Sequence, residues 1–371
     1  MHINCLKEDL LYGIQVVGKA VSGKNILPIL GGILISATDN KLIFRATDLD
    51  IAIECSIGAD VIKPGSIVVA DGRRFIEIVR QLPSGNINMQ SINDFDVVLR
   101  YSKASLHING LDTEEFPLLP KIEGEVQGNI KTEIFNRLIR QTIIAASTDN
   151  SRPVFTGILL DIKEDYLTMV ATDSHRLTIS KNAWNGHGSG RYIIPSRTMG
   201  ELSRILSEES VNIVASQNHV YFQTEKITFV SRVINGQYPD YRQVLPNKNT
   251  YTTNVKINTQ KFLESISRAT LLARDNNSVV KLEFVKEDNI KMSASSPDIG
   301  DIKEEIDAVI EGESFSAAYN GRYLLDALKV MESENITIDL TGPVTPGLMR
   351  PELEEEDQSE YIYLILPIRV N

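Results

Sequence analysis

An internal repeat is the feature that most constrains what this chain can fold into. Residues 32–35 (Gly-Ile-Leu-Ile) precede an Ala-Thr-Asp triplet at residues 46–48, and residues 157–160 (Gly-Ile-Leu-Leu) precede another at residues 171–173. Both parts of the pattern shift equally, since 157 − 32 and 171 − 46 both equal 125. A period this long exceeds that of solenoid repeats and predicts a domain copied in tandem.

Two further matches extend the repeat. The tripeptide Ile-Asn-Gly occurs at residues 108–110 and again at residues 234–236. A weaker third copy places Val-Lys-Leu-Glu-Phe at residues 280–284 before Ala-Ser-Ser at residues 294–296. We therefore expect three similar domains.

The repeat and the length of 371 residues set the domain boundaries. At roughly 150 residues per domain, three domains are feasible, each with its own core. The predicted domains are residues 1–122, 123–248 and 249–371. The linkers are residues 121–129, rich in Gly and charge, and the polar residues 246–253.

Each copy has the same predicted secondary structure. Apolar residues at helical spacing open the first two copies, as in Leu10, Leu11, Ile14 and Val17. Alternating runs such as residues 41–45 follow and predict strands. Second helices are expected at residues 73–82, 197–206 and 322–331. Two helices plus many antiparallel strands make each domain α+β.

The composition and the N-terminal sequence exclude several classes of protein. No apolar run approaches the roughly 20 residues of a membrane span, and the first residues lack the features of a signal peptide, which predicts a cytoplasmic protein without a membrane partner. The net charge of −11 argues against a uniformly basic nucleic-acid binder, but cations can still gather on one surface.

No residue pattern in the chain predicts catalysis. The five histidines lack metal-ligand spacing, and we expect no metal, no cofactor and no catalytic residue. An enzyme acting on a phosphate-bearing substrate, with Asp48 and Asp173 as acids, is one rival interpretation. The Ala-Thr-Asp triplet recurs as a structural turn would, however, and no partner base recurs with it. A monomeric scaffold is the other rival.

Cations recur on the second helix of each copy, opposite its apolar stripe. They are Arg73 and Arg80 in the first copy, Arg197 and Arg204 in the second, and Arg322 and Lys329 in the third; the first helix of the second copy adds Arg137 and Arg140. Exposed cations are usually only solvated. Their recurrence in an acidic chain nevertheless predicts one surface suited to non-specific phosphate contact.

The chain resembles the bacterial beta sliding clamps, the beta subunits of DNA polymerase III, over essentially its whole length. The resemblance is carried by segments whose order and intervals are specific: Asn-Ile-Leu-Pro-Ile-Leu at 25–30, Ala-Thr-Asp-Leu-Asp at 46–50, Val-Ala-Thr-Asp-Ser-His-Arg-Leu at 170–177, Tyr-Pro-Asp-Tyr-Arg at 238–242 and Leu-Pro-Ile-Arg at 366–369.

The resemblance implies a non-catalytic DNA sliding clamp. Two chains would join head to tail into a six-domain ring, with helices lining the hole and sheets outside. The ring would encircle double-stranded DNA without reading its sequence. It would confer processivity by tethering the replicative DNA polymerase, the clamp loader and repair proteins through short linear peptides.

The family's peptide pocket lies between the second and third domains. Carried over by motif, its wall would be Phe155, Thr172, Ser174, His175, Arg176, Leu177, Pro239, Val244, Leu364, Leu366, Pro367, Ile368 and Arg369. The family often has Gly where Ser174 stands and sometimes a base where Gln243 stands, and Asn371 extends the usual end. As folded elements, residues 170–177 are expected to form a strand and residues 362–368 an interior strand.

Two further sets of residues follow from the family match and from the cation pattern. The expected DNA contacts are Lys24, Arg73, Arg80, Arg137, Arg152, Arg197 and Arg204, of which Lys24 and Arg152 lie in loops that the family uses this way. The expected dimer interface includes Leu106, Ile108, Leu271 and Leu272, apolar residues that would otherwise be exposed without a reason.

Overall fold

The structure is a computed structural model of the chain. It describes residues 1–23, 27–93, 95–273, 278–286, 289–353 and 359–369. Of the residues named above, Lys24, Asn25, Ile26 and Asn371 lie outside this part.

Each copy of the repeat folds into the same series of elements: a strand, a helix, five strands, a second helix and three strands. The first copy has β1 (His2–Leu6), α1 (Lys7–Val17), β2 (Ile33–Thr38), β3 (Lys41–Thr47), β4 (Ile51–Gly58), β5 (Asp60–Lys63), β6 (Gly65–Val69), α2 (Gly72–Gln81), β7 (Asn86–Asn93), β8 (Asp96–Tyr101) and β9 (Ala104–Leu111). The second has β10 (Val126–Lys131), α3 (Thr132–Ile143), β11 (Gly157–Lys163), β12 (Tyr166–Thr172), β13 (Arg176–Ala183), β14 (Asn185–His187), β15 (Gly190–Pro195), α4 (Ser196–Ile205), β16 (Ser210–Ala215), β17 (His219–Gln223) and β18 (Ile227–Arg232). The third has β19 (Thr253–Asn258), α5 (Thr259–Leu272), β20 (Val279–Val285), β21 (Asn289–Ser296), β22 (Gly300–Asp307), β23 (Val309–Gly312), β24 (Phe315–Asn320), α6 (Gly321–Leu328), β25 (Asn335–Leu340), β26 (Gly347–Pro351) and β27 (Glu360–Ile365). The expected α+β class and its threefold repetition are confirmed, whereas the domain boundaries stay a prediction.

The second helices begin where the sequence supplies a capping residue. Asp71 accepts a hydrogen bond from the Arg74 amide at 3.0 Å ahead of α2. Asn320 accepts one from the Arg322 amide at 3.0 Å ahead of α6. A side-chain oxygen at this position satisfies an amide that has no partner within the helix, so these polar residues determine the start of both helices.

The chain packs into two compact units. The first unit comprises Met1–Glu133 with Glu201–Val233. Its strands form one continuous sheet, in the order β10-β16-β17-β18-β4-β3-β2-β6-β9-β8-β7-β1-β5. Within it the fourth strand of the first copy pairs with the ninth strand of the second, from Cys55 opposite Ile227 to Ile51 opposite Ser231. The two copies are therefore joined through backbone hydrogen bonds.

The second unit comprises Ile134–Gly200 with Ile234–Asn371. It contains a sheet in the order β15-β11-β12-β13-β27-β26-β25-β19-β23 and a smaller one in the order β22-β21-β20-β24. Here the fourth strand of the second copy, β13, pairs with the ninth strand of the third, β27, and Arg176 lies opposite Ile365. The same joining rule therefore applies twice along the chain.

The helices are short compared with a membrane span. No helix of the described residues is both long and apolar enough to cross a bilayer.

Candidate functional site

The second Ala-Thr-Asp triplet forms a tight turn between β12 and β13. The Thr172 hydroxyl donates to the Arg176 carbonyl at 2.7 Å, and Asp173 Oδ1 accepts from the amides of His175 at 2.9 Å and Arg176 at 3.0 Å. The expectation of one strand over residues 170–177 is therefore wrong, because these side chains satisfy the backbone locally and reverse the chain. Asp173 acts here as a turn former, and Asp48 accepts the equivalent bonds in the first copy.

Ser174 occupies the left-handed region of backbone conformation, with a φ of +75°. Glycine adopts this conformation without a steric cost, whereas residues with a Cβ do not. This conformation is a physical reason why the resembled family would often have Gly where Ser174 stands.

A cavity of about 200 Å³ opens beside this turn, within the second unit. Ten of the thirteen residues predicted for the peptide pocket line it: Phe155, Thr172, Ser174, His175, Arg176, Leu177, Pro239, Val244, Leu364 and Leu366. We call this cavity the groove. Most of its lining is apolar, and Val244 and Leu366 are 54% and 38% exposed. An apolar surface left open in this way suits large apolar anchors of a ligand.

The last three predicted residues do not line the groove within the described chain. β27 ends at Ile365, so the interior strand expected over residues 362–368 is shorter than predicted. Beyond it the Leu366 amide donates to the His175 carbonyl at 2.9 Å, and the Ile368 amide donates to the Ala318 carbonyl at 2.7 Å. Ile368 therefore holds the C-terminal segment in place, and Pro367 and Arg369 are its neighbours in the chain.

Three lining residues were missed by the sequence reasoning: Tyr238, Asp240 and Tyr241. The Tyr241 hydroxyl donates to Asp161 Oδ2 at 3.0 Å, and burial first, then the Asp161 charge, raises its pKa. This bond anchors the short helix Tyr241–Val244, which carries Val244. The sequence feature that could have pointed to this segment is the recurrence of an aromatic-Pro pair, at residues 116–117 and again at residues 238–239.

Arg176 lines the groove, but its guanidinium is already engaged. Its Nε lies 3.0 Å from Asp173 Oδ2, and its Nη1 lies 2.7 Å from Asp326 Oδ2 on α6. The side chain is only 10% exposed. The stem of Arg176 therefore belongs to the groove while its charge is satisfied elsewhere.

Three predicted DNA contacts of the first unit, Arg73, Arg80 and Arg204, lie on helices and are exposed, and Lys24 lies outside the described residues. Arg80 and Arg204 share a cleft of about 490 Å³ with Lys19, a cation that the sequence reasoning did not select. Glu201 lies 2.8 Å from Arg204 and 3.5 Å from Lys19, and so offsets part of this charge. Arg73 donates to the Val21 carbonyl at 3.3 Å. Three cations thus converge near one cleft.

The predicted DNA contacts of the second unit are less uniform. Arg197 and Arg152 are exposed, and the Arg152 guanidinium lies 5.9 Å from the ring centre of Phe155, beside the groove. Arg137 is half-buried in a cleft of about 520 Å³ that also includes Glu332 and Glu334. An acidic neighbourhood makes Arg137 the least suited of the set to a phosphate.

The residues expected at a dimer interface are partly or fully open to solvent. Leu106 and Ile108 alternate on β9 and are half-buried. At the end of α5, Leu271 is 72% exposed and Leu272 is half-buried. No grouping of His, Cys, Asp or Glu among the described residues could hold a metal ion.

Comparisons with known proteins agree along the whole chain. Family models for the N-terminal, central and C-terminal domains of the DNA polymerase III beta subunit match residues 1–120, 129–240 and 242–369. The chain is 38% identical over 383 residues to the beta sliding clamp of Bacillus subtilis, with all of both chains covered. It is 34% identical to that of Staphylococcus aureus, covering 95% of this chain and 94% of the relative. The crystal structure of the Bacillus subtilis DNA polymerase sliding clamp covers both chains completely at 37% identity, with a TM-score of 0.94. The chain belongs to the DNA polymerase III beta subunit family, the beta sliding clamps.

Proposed function

We propose that this DNA sliding clamp works as a closed ring of two chains, joined head to tail around duplex DNA, which holds partner proteins through short peptides bound in the groove. The sliding-clamp function itself follows from the family. The ring, its partners and its residues are the parts proposed here. We assign it no catalytic step of its own and place it in the cytoplasm, where a replication protein meets DNA.

The proposal of a ring rests on a repeated pattern of strand pairing. Within a single chain this pattern is incomplete. The fourth strand of the first copy pairs with the ninth strand of the second, as β4 with β18. The fourth strand of the second copy pairs with the ninth strand of the third, as β13 with β27. One fourth strand, β22, and one ninth strand, β9, remain to be paired by this rule.

Both remaining strands have an open edge. Among the described residues, β22 pairs only with β21 and lies at the end of its sheet. β9 pairs with β8 over residues 104–109 and with β6 over residues 110–111, so within the described part of the chain residues 104–108 have one edge without a strand partner. Unpaired edges recruit strands of other chains. Pairing β22 of one chain with β9 of another, twice over, closes a ring of two chains.

The apolar residues beside these edges favour the same interface. Leu106 and Ile108 lie on β9 itself, and Leu271 is 72% exposed at the end of α5, the helix that packs on β22. Burying such side chains contributes about 25 cal/mol per Å² of apolar area, which gives the interface a stability beyond that of the strand pairing.

DNA would be held inside the ring by weak contacts to its backbone. The candidates are Lys24, Arg73, Arg80, Arg137, Arg152, Arg197 and Arg204, to which we add Lys19 because it shares a cleft with Arg80 and Arg204. Contacts of cations with phosphates position a protein on DNA without reading its bases. Since the net charge is −11, long-range attraction is low and the ring can slide.

The groove would receive a short segment of the replicative polymerase, the clamp loader or a repair protein. Leu177, Leu364, Val244 and Leu366 provide an apolar floor, and Pro239 stiffens one wall. A ligand with a glutamine and two large apolar residues fits this surface, since apolar anchors dominate such interfaces.

The ring is tested by the mass of the protein in solution. We expect a dimer by sedimentation at micromolar concentration, and a folded monomer when Leu271→Ala and Leu272→Ala are combined, because the interface loses its apolar contacts. The matched control combines Leu49→Ala and Leu118→Ala, two leucines that are 55% and 95% exposed in the first unit, and it should stay dimeric. A monomeric wild-type chain, or a dimeric double variant at α5, would contradict the proposal.

A further inference from the structure

The guanidinium of Arg176 is sequestered by groups from two parts of the second unit. Besides its ion pairs with Asp173 and Asp326, it lies over the ring of Tyr323, 4.0 Å from the ring centre. The Tyr363 hydroxyl donates to the Tyr323 carbonyl at 2.8 Å and so fixes the backbone of α6 at this point. The cation is thus held by two carboxylates and one aromatic face.

These contacts stabilise the charge of Arg176 despite its burial. Burial alone would lower its pKa, but Tyr363, Asp326 and Asp173 together raise it. A buried cation with two carboxylate partners gains little from a third, because the two carboxylates already offset its charge. An acidic residue of a bound peptide would therefore compete with Asp173 and Asp326 for this cation.

The same contacts connect the turn beside the groove with α6. Arg176 follows the turn, while Asp326 and Tyr323 lie one helical turn apart on α6. The C-terminal segment connects the same two parts. Its Leu366 amide donates to the His175 carbonyl of the turn, and its Ile368 amide donates to the Ala318 carbonyl in β24, the strand leading into α6. The turn, the C-terminal wall and α6 thus hold one another in place.

We propose that Arg176 is a positioning residue of the groove and that Asp326, a residue outside the groove, shares this role. The pair fixes the distance between the turn and the C-terminal wall, and thereby the width of the apolar floor. The groove selects its ligand by apolar side chains and shape, with no requirement for an acidic residue opposite Arg176. This inference rests on the proposed peptide-binding function of the groove.

Two fluorescein-labelled peptides distinguish positioning from direct contact. Each contains a glutamine and two large apolar residues, and they differ only by an Asp in one and an Asn in the other. Arg176→Gln should weaken both peptides equally, by about tenfold, because the scaffold loses the charge-assisted hydrogen bonds of Arg176 to Asp173 and Asp326. A loss confined to the acidic peptide would show that Arg176 contacts the ligand, and would overturn the proposal.

For Asp326→Asn, the two models predict opposite changes in the affinity for the acidic peptide. If the pair positions the groove, this variant should weaken both peptides about as much as Arg176→Gln, and the double variant should be no weaker than either single one. If Arg176 binds the ligand, removing Asp326 frees the cation and the acidic peptide should bind more tightly, which would overturn the proposal. Asp326→Glu, which keeps the carboxylate, should restore most of the affinity.

A matched control removes an ion pair of the same length elsewhere in the same unit. Glu332 lies 2.8 Å from Arg140, and Glu332→Gln should leave both peptide affinities unchanged. An equal loss of peptide affinity in this control would show that the loss of any ion pair in the unit weakens binding, and would overturn the proposal. If wild-type protein binds neither peptide, the proposed function of the groove fails. If wild-type binds and Asp326→Asn binds equally well, only the positioning role fails.

Discussion

The turn at residues 46–51 and the turn at residues 171–176 share one architecture. In the first turn the Thr47 hydroxyl donates to the Ile51 carbonyl at 2.8 Å, as the hydroxyl of Thr172 does to its own partner at 2.7 Å in the second. In each turn the following aspartate accepts two backbone amides through one oxygen. The repeated triplet therefore specifies the turn wherever it occurs.

The strand beside each turn is also attached in the same way. The Arg232 amide donates to the Asp50 carbonyl at 2.8 Å, and the Leu366 amide donates to the His175 carbonyl at 2.9 Å. In both cases the donor immediately follows or closes the ninth strand of the next copy. The junction between copies is thus part of the repeated scaffold.

The two turns differ in the side chains that complete them. The first ends in Ile51, which is 8% exposed and packs as an ordinary core residue. The second ends in Arg176, which reaches α6, and Val244 beside it stays 54% exposed in the groove. The comparison teaches that the repeat builds the scaffold, while the candidate site arises where one copy departs from the others.

The largest expected effect is on peptide binding at the second turn, and it should follow from deleting residues 367–371. The described part of this segment, residues 367–369, does not line the groove, but the deletion removes the Ile368 bond that holds Leu366 as a wall. We expect peptide affinity to fall by at least about 30-fold, equivalent to one lost apolar anchor, with the dimer intact. Fluorescence anisotropy and sedimentation measure the two properties separately. As a control, Arg232→Ala changes an exposed side chain at the first turn, keeps the backbone bond to Asp50 and should leave peptide binding unchanged. Undiminished binding by the truncated dimer would place the groove elsewhere.

Removing the two threonine hydroxyls should give an intermediate effect. Thr47→Val leaves the buried Ile51 carbonyl without a side-chain donor and should cost about 1–2 kcal/mol of unfolding free energy. Thr172→Val should cost less, since Thr172 is half-buried and water can replace its hydroxyl. Only Thr172→Val should also weaken peptide binding, by about threefold or 0.7 kcal/mol. Denaturant titration measures the stability, and fluorescence anisotropy measures the peptide affinity. If Thr47→Val also lowered the peptide affinity, the comparison would be contradicted.

Much of the scaffold was predictable from the sequence because its determinants are local. The second helices were expected at residues 73–82 and 322–331, and they occupy Gly72–Gln81 and Gly321–Leu328. Their apolar spacing and their capping residues lie within a few positions of each other. The structural role of the triplet aspartates was also predicted, from recurrence alone.

The rest depends on contacts between residues far apart in the chain. The ion pair of Arg176 with Asp326 spans 150 positions, and the hydrogen bond of Tyr241 with Asp161 spans 80. No periodicity marks such pairs. The joining of β4 to β18 was likewise beyond prediction, because an edge strand and a paired strand have similar apolar patterns.

Glycine substitutions at the two left-handed positions should give the smallest effect and sharpen the comparison. Leu49 and Ser174 have φ values of +76° and +75°, a conformation that costs a residue with a Cβ about 1–2 kcal/mol. Glycine removes this cost but loses roughly 0.5–1 kcal/mol through the greater freedom of the unfolded chain. Leu49→Gly and Ser174→Gly should therefore each raise the unfolding free energy by up to about 1.5 kcal/mol, and by similar amounts, because the turns share one backbone. Denaturant titration measures the change, with Leu49→Ala and Ser174→Ala as controls that keep the Cβ and should bring no such gain. If Ser174→Gly destabilises the protein while Leu49→Gly stabilises it, the Ser174 side chain holds the second turn and the two turns are not equivalent scaffolds.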